Sequence, residues 1–270
     1  MSAKRLLCFG LGYTARALVR QLGPEWAITS TTRDGVHLLP GAAFEGFTHI
    51  LISIPPDELG DPVLDAHGAE IARLSGLQWL GYLSTTGVYG TRDGGWVDEN
   101  SALRPSSARS KRRVDTEAGW LELAQARGVP VHIFRLAGIY GPRRSAFDAL
   151  RAGTAKRIDA GGQVFSRIHV DDIANVLLAS IAKPRPGAIY NVCDDEPAAQ
   201  EEVVAHAARL LGIAPPPLLP LDQAALSPMA KSFYADDKRV SNTLIKQELG
   251  VTLAYSNYRA GLAAILAAGG

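Results

Sequence analysis

CFGLGYTAR, Cys8–Arg16, decides how the chain is read. Gly10, Gly12 and Ala15 stand at the spacing G-x-G-x-x-A. A strand that enters a glycine turn and leaves it as a helix needs these residue types at these places. Gly10 permits the tight turn, Gly12 lets the backbone approach a pyrophosphate, and Ala15 lets the helix pack close to a sheet. From Tyr13 and Thr14 onward the helix turns its first N–H groups toward phosphate oxygens. The context is the required one: the apolar run RLLCFG precedes the turn and the helical pattern YTARALVRQLG follows it. The alternative is a glycine turn that serves packing alone.

Outward from this turn, apolar runs and helical patterns alternate. WAITSTTR, HILISIPP, WLGYLSTTGVYG and VHIFRLAGIYG read as strands. None alternates strictly, which marks strands buried on both faces. Helical patterns lie between them, over VLDAHGAEIARLSG and over Ser107 to Arg127, the latter ending at Gly128. Such alternation predicts an α/β fold with a Rossmann-type, doubly wound parallel sheet. After Gly141-Pro142 the pattern loosens. It predicts a short helix (SAFDALRAG), a small strand pair (KRIDAGGQVFSRIHV), a helix from Asp172 and a last strand, AIYNVCDD. Further helices follow around the proline-rich APPPLLPL, near EEVVAHAARLLG, KRVSNTLIKQELG and SNYRAGLAAIL. The expected division is a dinucleotide-binding domain of residues 1–141 joined by 164–194. A smaller C-terminal substrate lobe takes residues 142–163 and 195–270, over the carboxyl ends of the strands.

About twenty residues past the glycine turn, an NAD enzyme offers Asp or Glu to the ribose hydroxyls. Here the second strand ends in Thr31, Thr32 and Arg33. A guanidinium there suits a 2′-phosphate, so Thr32 and Arg33 point to NADP, with NAD left open. Ile54 and Pro55, at the end of the next strand, are expected beside the cofactor.

Bulk properties exclude other classes. With 270 residues, 47% of them hydrophobic, the chain can bury a large core. A net charge of +1 without a long basic run argues against nucleic acid as a partner. No apolar stretch approaches the roughly 20 residues that span a bilayer. Cys8 and Cys193 fall in predicted buried strands, which suggests a reducing cytoplasm rather than a disulfide scaffold. Six scattered histidines give no metal-ligand spacing.

Five stretches in order, GLGYTAR, YLSTTGVYG (Tyr82–Gly90), WVDENSALRP, FRLAGIYGP (Phe134–Pro142) and RIHVDDIA (Arg167–Ala174), resemble the short-chain dehydrogenase/reductase superfamily, in its extended, epimerase/dehydratase-like branch. The resemblance covers nearly the whole chain. It implies a Ser or Thr that holds the substrate oxygen, a Tyr that passes a proton, and a Lys that lowers the phenol pKa and binds the nicotinamide ribose. Carried onto this chain, the hydroxyl falls on Thr85, with Thr86 beside it, and the lysine on Lys111. The tyrosine position holds Ser107. Ser107 and Lys111 are four apart on a predicted helix and are expected to share its cleft-facing side. A serine is too short and too weakly acidic for the tyrosine's role, so the implied catalytic set is incomplete, as in atypical members of the branch.

Ile139 in GIYG is expected at the cofactor. Arg143, with Arg144 beside it, is expected at an anionic substrate. His169 and Asp172 match a family signature, with Asp172 read as the N-cap of the next helix. Asp65 stands near a position the family fills with asparagine. The implied partners are NADP(H) and a small-molecule substrate or nucleotide ligand, with a homodimer open and neither nucleic acid nor membrane expected. Two functions remain: an oxidoreductase or epimerase on a small polar or sugar-like substrate, and a non-enzymatic NADP sensor or scaffold.

Overall fold

The computed structural model describes residues 4–31, 44–226, 231 and 233–270. The chain opens with β1 (Lys4–Phe9), passes through α1 (Tyr13–Gln21) to β2 (Trp26–Ser30), and returns on the other side of β1 as β3 (His49–Ile52). It continues through α2 (Pro62–Ile71), β4 (Trp79–Thr85), the short β5 (Trp96–Val97), α3 (Ala108–Arg127) and β6 (Val131–Leu136). Next come β7 (Gly138–Tyr140), α4 (Ala146–Arg151), β8 (Arg157–Asp159), β9 (Arg167–His169), α5 (Val170–Ala182) and β10 (Ile189–Val192). The remainder comprises α6 (Gln200–Leu210), β11 (Leu218–Pro220), β12 (Arg239–Val240), α7 (Thr243–Gln247) and α8 (Tyr258–Ala267).

The main sheet has six parallel strands in the order β10-β6-β4-β3-β1-β2. The chain winds away from β1 in both directions, so the switch point lies between β1 and β3. Ligands of open α/β sheets bind beyond the carboxyl ends at such a point. This is the Rossmann-type architecture that the alternating pattern predicts.

Both faces of the sheet are covered, and β1 shows how the sequence provides for it. Leu6 and Cys8 join the core formed with Ala15 and Leu18 of α1 and Ile173 and Leu177 of α5. Leu7 and Phe9, on the opposite face, join Val63 and Ile71 of α2 and Trp120 of α3. The period of two along a strand sends alternate apolar residues into two cores. The helices are delimited by their caps. Asp61 accepts from the N–H groups of Val63 and Leu64 at 2.9 and 2.8 Å, just before Pro62. Gly128 closes α3 in the left-handed region at φ +70°. A third core, with Phe147, Val203, Tyr258 and Leu262, holds α4, α6 and α8 together.

Three local expectations are corrected. The stretch 156–170 is not a strand pair: β8 pairs with β11 and β9 with β7. Gly161 and Gly162, both at positive φ, carry the chain from one pairing to the other. The helix expected from Asp172 starts at Val170, because His169 caps it, its Nδ1 accepting from the Asp171 N–H at 3.2 Å. The fully buried Asp172 instead accepts from the backbone N–H groups of Ala254 and Tyr255 at 2.7 and 2.9 Å, pinning the C-terminal segment to α5. The helix expected over KRVSNTLIKQELG covers only Thr243–Gln247. Arg239 and Val240 are a strand on β5, and the Asn242 amide donates to the Cys193 carbonyl at 2.9 Å.

Candidate cofactor and substrate cleft

A cleft of about 1230 Å³ opens beyond the carboxyl ends of the central strands. Gly12 borders it after β1, Ser53 after β3, Thr85 at the end of β4 and Leu136 at the end of β6.

The two fingerprint glycines answer to different demands. Gly10 lies at φ +83°, and a Cβ there would stand 2.9 Å from Ile54 Cγ1. Its N–H donates to Thr31 Oγ1 at 3.2 Å, and its carbonyl accepts from the Ser53 hydroxyl at 2.6 Å. Gly10 and Ile54 thus form the packed back of the turn and do not border the cleft. Gly12 has an ordinary φ of −78°. A Cβ on it would meet nothing nearer than Ser53 Oγ at 4.0 Å. Nothing in the protein's own packing requires glycine here. The space in front of it is a cradle that a side chain would fill. Gly12 is also the N-cap of α1, without a side-chain cap and without an acidic residue in the first turn, so the positive end of the helix is open. These features fit a dinucleotide pyrophosphate. Tyr13 and Thr14 border the same space, as do Pro55 and Ile139. Thr32 and Arg33 lie outside the described residues.

The opposite wall is the end of β4 and the start of α3. Thr85 Oγ1 accepts from the Gly87 N–H at 3.1 Å and opens a single 3₁₀ turn, Thr86–Tyr89. Beneath it, the buried Ser84 donates to Glu117. Ser107 borders the cleft as the N-cap of α3, accepting from the Ser110 N–H at 3.1 Å. The expected Ser107–Lys111 face is corrected. Ser107 precedes the helix, and the buried stripe of α3 runs through Ser110, Arg113, Thr116, Glu117 and Trp120. Lys111, one residue past Ser110, is rotated about 100° from that stripe and is exposed. It does not border the cleft, whereas Arg109, Ser110 and Arg113 do. The cation that this helix buries is Arg113. Its Nη1 donates to the Tyr82 hydroxyl at 2.9 Å and to the Leu83 carbonyl at 2.6 Å. The helical period of α3, followed to Trp120, carried the signal that points to Arg113.

After β7, Arg144 borders the cleft and Arg143 does not. Arg143 occupies the left-handed region at φ +61° and is exposed. Arg167 is buried, donates to the Phe165 and Ala198 carbonyls at 2.7 Å each and to Gln200 Oε1 at 3.0 Å, and forms no ion pair among the described residues. Lys238 is buried and donates to Asp236 Oδ2 at 3.2 Å, while Ser106 donates to Asp236 Oδ1 at 2.6 Å. Burial holds the Lys238 ammonium below the usual lysine range, against the pull of Asp236. Arg167 opens the stretch RIHVDDIA, but no local pattern announces Asp236 or Lys238, because only the tertiary fold brings them to the cleft. Four tyrosines border the cleft: Tyr13, Tyr140, Tyr234 and Tyr258. Burial pushes every one of these phenols above its ordinary range. Among the described residues no group of three or more His, Cys, Asp or Glu side chains is arranged to hold a metal.

Residues 67–193 match the model of the NAD dependent epimerase/dehydratase family. A solved structure of a functionally unknown conserved protein from Silicibacter pomeroyi is 51% identical. The match covers 98% of this chain and 99% of that one, with a TM-score of 0.91. Protein YeeZ of Escherichia coli K12 is 28% identical over 246 residues, 79% of this chain and 86% of YeeZ. A 3-diazoavenalumate denitrifying reductase from Streptomyces is 28% identical over 213 residues, 73% of this chain and 68% of the reductase.

Proposed function

We propose that the chain, whose residues 67–193 match the NAD dependent epimerase/dehydratase family model, is a member of the extended branch of the short-chain dehydrogenase/reductase superfamily and an NADP-binding oxidoreductase or epimerase-like protein acting on a small polar or sugar-like substrate. The observation that carries this reading is Gly12. Its Cβ cradle and the uncapped α1 N-terminus open on the same cleft as Thr85, Ser110 and Arg113. Family membership supports a nicotinamide dinucleotide. The preference for NADP rests on Arg33 in the sequence STTRDG.

When bound, the dinucleotide supplies or accepts a hydride. The chain's own groups do the rest in this reading. Gly12 and the first N–H groups of α1 receive the pyrophosphate, and Thr85 orients the substrate oxygen. Arg113 provides the cation that the family draws from a lysine, and Ser107 and Ser110 offer hydroxyls beside it. Residues 1–141 with 164–194 form the dinucleotide-binding part, and 142–163 with 195–270 the substrate side. A cytoplasmic setting fits two free, buried cysteines, with burial pushing the Cys8 thiol up to about 12. Among the described residues no helix is long and apolar enough to cross a membrane.

A second reading, a dinucleotide sensor or scaffold without turnover, is favoured by one observation. The cleft-facing positions of α3 are Arg109, Ser110 and Arg113, with no phenol among them. One experiment separates the two: purified protein is titrated with NADPH and NADH, then offered a panel of carbonyl substrates while NADPH absorbance is followed. Tight NADPH binding with oxidation by one panel member is expected. Binding without oxidation across a broad panel would favour the sensor, and binding of neither cofactor would overturn both readings.

A further inference from the structure

The turn Gly141-Pro142-Arg143-Arg144 is built unusually tightly for an exposed connection. Gly141 and Arg144 exchange backbone hydrogen bonds of 3.1 and 3.0 Å. Pro142 and Arg143 occupy the two central positions, and Arg143 is held at φ +61°, where a non-glycine residue is strained. Both arginines are exposed, and of the two Arg144 is the one that borders the cleft.

The turn is fastened to the phosphate-binding loop from across the cleft. The Tyr13 hydroxyl donates to the Pro142 carbonyl at 2.9 Å, joining residues 129 apart in sequence. Gly141 is bare where it meets that hydroxyl: a Cβ there would stand 2.5 Å from it and 2.8 Å from Val170 Cγ1. The Arg144 guanidinium lies 5.7 Å from the centre of the Tyr13 ring. It forms no ion pair among the described residues. Asp148, the nearest acidic residue along the chain, is engaged instead by the Ser145 N–H and hydroxyl at 2.7 and 2.8 Å. Tyr13 is the first residue of α1, whose positive end is uncapped. An unpaired cation and an open helix N-terminus therefore flank the Gly12 cradle, one on each lobe.

We propose that Arg144 is a dinucleotide-binding residue that closes over the pyrophosphate from the small-lobe side, with Tyr13 as the positioning residue that holds its turn in place. The inference rests on the family reading of the cleft. It adds a contact from across the cleft, opposite the glycine turn. The two arginines of the pair differ: Arg144 faces the anion, and the exposed Arg143 does not border the cleft.

The test is calorimetric titration of the full chain with NADPH and with NADH, for wild type and for Arg144→Ala, Arg144→Lys, Arg143→Ala and Tyr13→Phe, each first checked by thermal melting. Loss of one charge-assisted contact is expected to weaken Arg144→Ala by about tenfold to a hundredfold. The loss should be the same for both cofactors, because they share the pyrophosphate. Arg144→Lys should recover part of it, Arg143→Ala should bind as wild type, and Tyr13→Phe should lose several-fold. An Arg144→Ala variant that binds both as tightly as wild type overturns the proposal. So does a loss confined to NADPH, which would make Arg144 a reader of the 2′-phosphate. Wild type that binds neither cofactor would overturn the family reading as well, and that result is distinct from the other two.

Discussion

Glu117 and Arg135 form a buried ion pair beneath the floor of the cleft. Arg135 Nη2 stands 2.7 Å from Glu117 Oε2, and Nε donates to both carboxylate oxygens at 3.2 and 3.1 Å. Each side chain is 3% exposed. The pair is the centre of a longer network. Ser84 donates to Glu117, Arg135 Nη1 donates to the Tyr89 hydroxyl at 2.8 Å, and that hydroxyl donates to Asn191 Oδ1 at 2.7 Å. Residues from β4, α3, β6 and β10 are thereby locked in register directly below Thr85.

Removing one charge from such a pair leaves the other buried and uncompensated. Glu117→Gln should therefore lose about 3–5 kcal/mol of stability, read by urea unfolding. The double replacement Glu117→Leu with Arg135→Met should lose less than that single change, because no orphan charge remains. A single variant within about 1 kcal/mol of wild type would show that the pair is not the keystone of this wall.

The sheet was legible in the sequence because its strands are apolar on both faces and its turns are marked by glycine. CFGLGYTAR placed α1 and its open N-terminus at Tyr13. Where the reading failed, side-chain geometry had overridden local pattern. In α3, spacing alone paired position 107 with 111, but Ser107 is the cap and not the first helical residue. The strand in KRVSN was invisible because its partner, Trp96–Val97, is some 140 residues earlier in the chain. Asp172 has the composition of a cap, yet its carboxylate serves N–H groups more than 80 residues away.

The two fingerprint glycines should fail in opposite ways. Gly10→Ala forces a side chain into a left-handed conformation and against Ile54, at a cost of about 1–3 kcal/mol. A Cβ at Gly12 meets no protein atom closer than Ser53 Oγ at 4.0 Å, so Gly12→Val should fold with a loss of about 1 kcal/mol or less. It should nonetheless abolish dinucleotide binding by filling the phosphate cradle. Melting curves with calorimetry on both variants decide the matter. A Gly12→Val protein that binds cofactor normally would reduce the fingerprint to a packing turn.

Asp194 gives a pH signature. Its carboxyl is 2% exposed, and burial pushes its pKa from 3.8 up to about 8, with the Arg167 charge pulling the other way. Between those pH values the folded protein keeps a proton that the unfolded chain has released. The stability this proton represents is full below about pH 4 and is lost as pH rises through about 8. Asp194→Asn keeps an acceptor for the Glu196 N–H and cannot ionise. The melting temperature of the variant minus that of wild type should therefore rise steadily from pH 4 to 8 and level off above. A difference that does not change with pH would mean that Asp194 ionises as an ordinary aspartate.

Lys111 and Arg113 make the sharpest contrast in α3. They are two residues apart, both cationic, and the helical period puts them on different sides. Lys111 is exposed, so Lys111→Met should leave stability within about 0.5 kcal/mol and NADPH affinity within about twofold of wild type, as surface changes usually do. Arg113 is buried with its guanidinium on Tyr82 and Leu83. Arg113→Met removes donors from a buried carbonyl and hydroxyl and should cost about 1–3 kcal/mol of stability. It should also weaken NADPH binding by tenfold or more if the guanidinium takes the place of the family's lysine, a loss of about 1.4 kcal/mol or more. Arg113→Lys separates these effects. A shorter ammonium keeps the charge toward the cleft but cannot span both buried acceptors, so it should recover more of the binding than of the stability. The opposite pattern, with Lys111→Met losing cofactor and Arg113→Met retaining it, would return the cation's role to the exposed side of the helix and require α3 to rotate on binding.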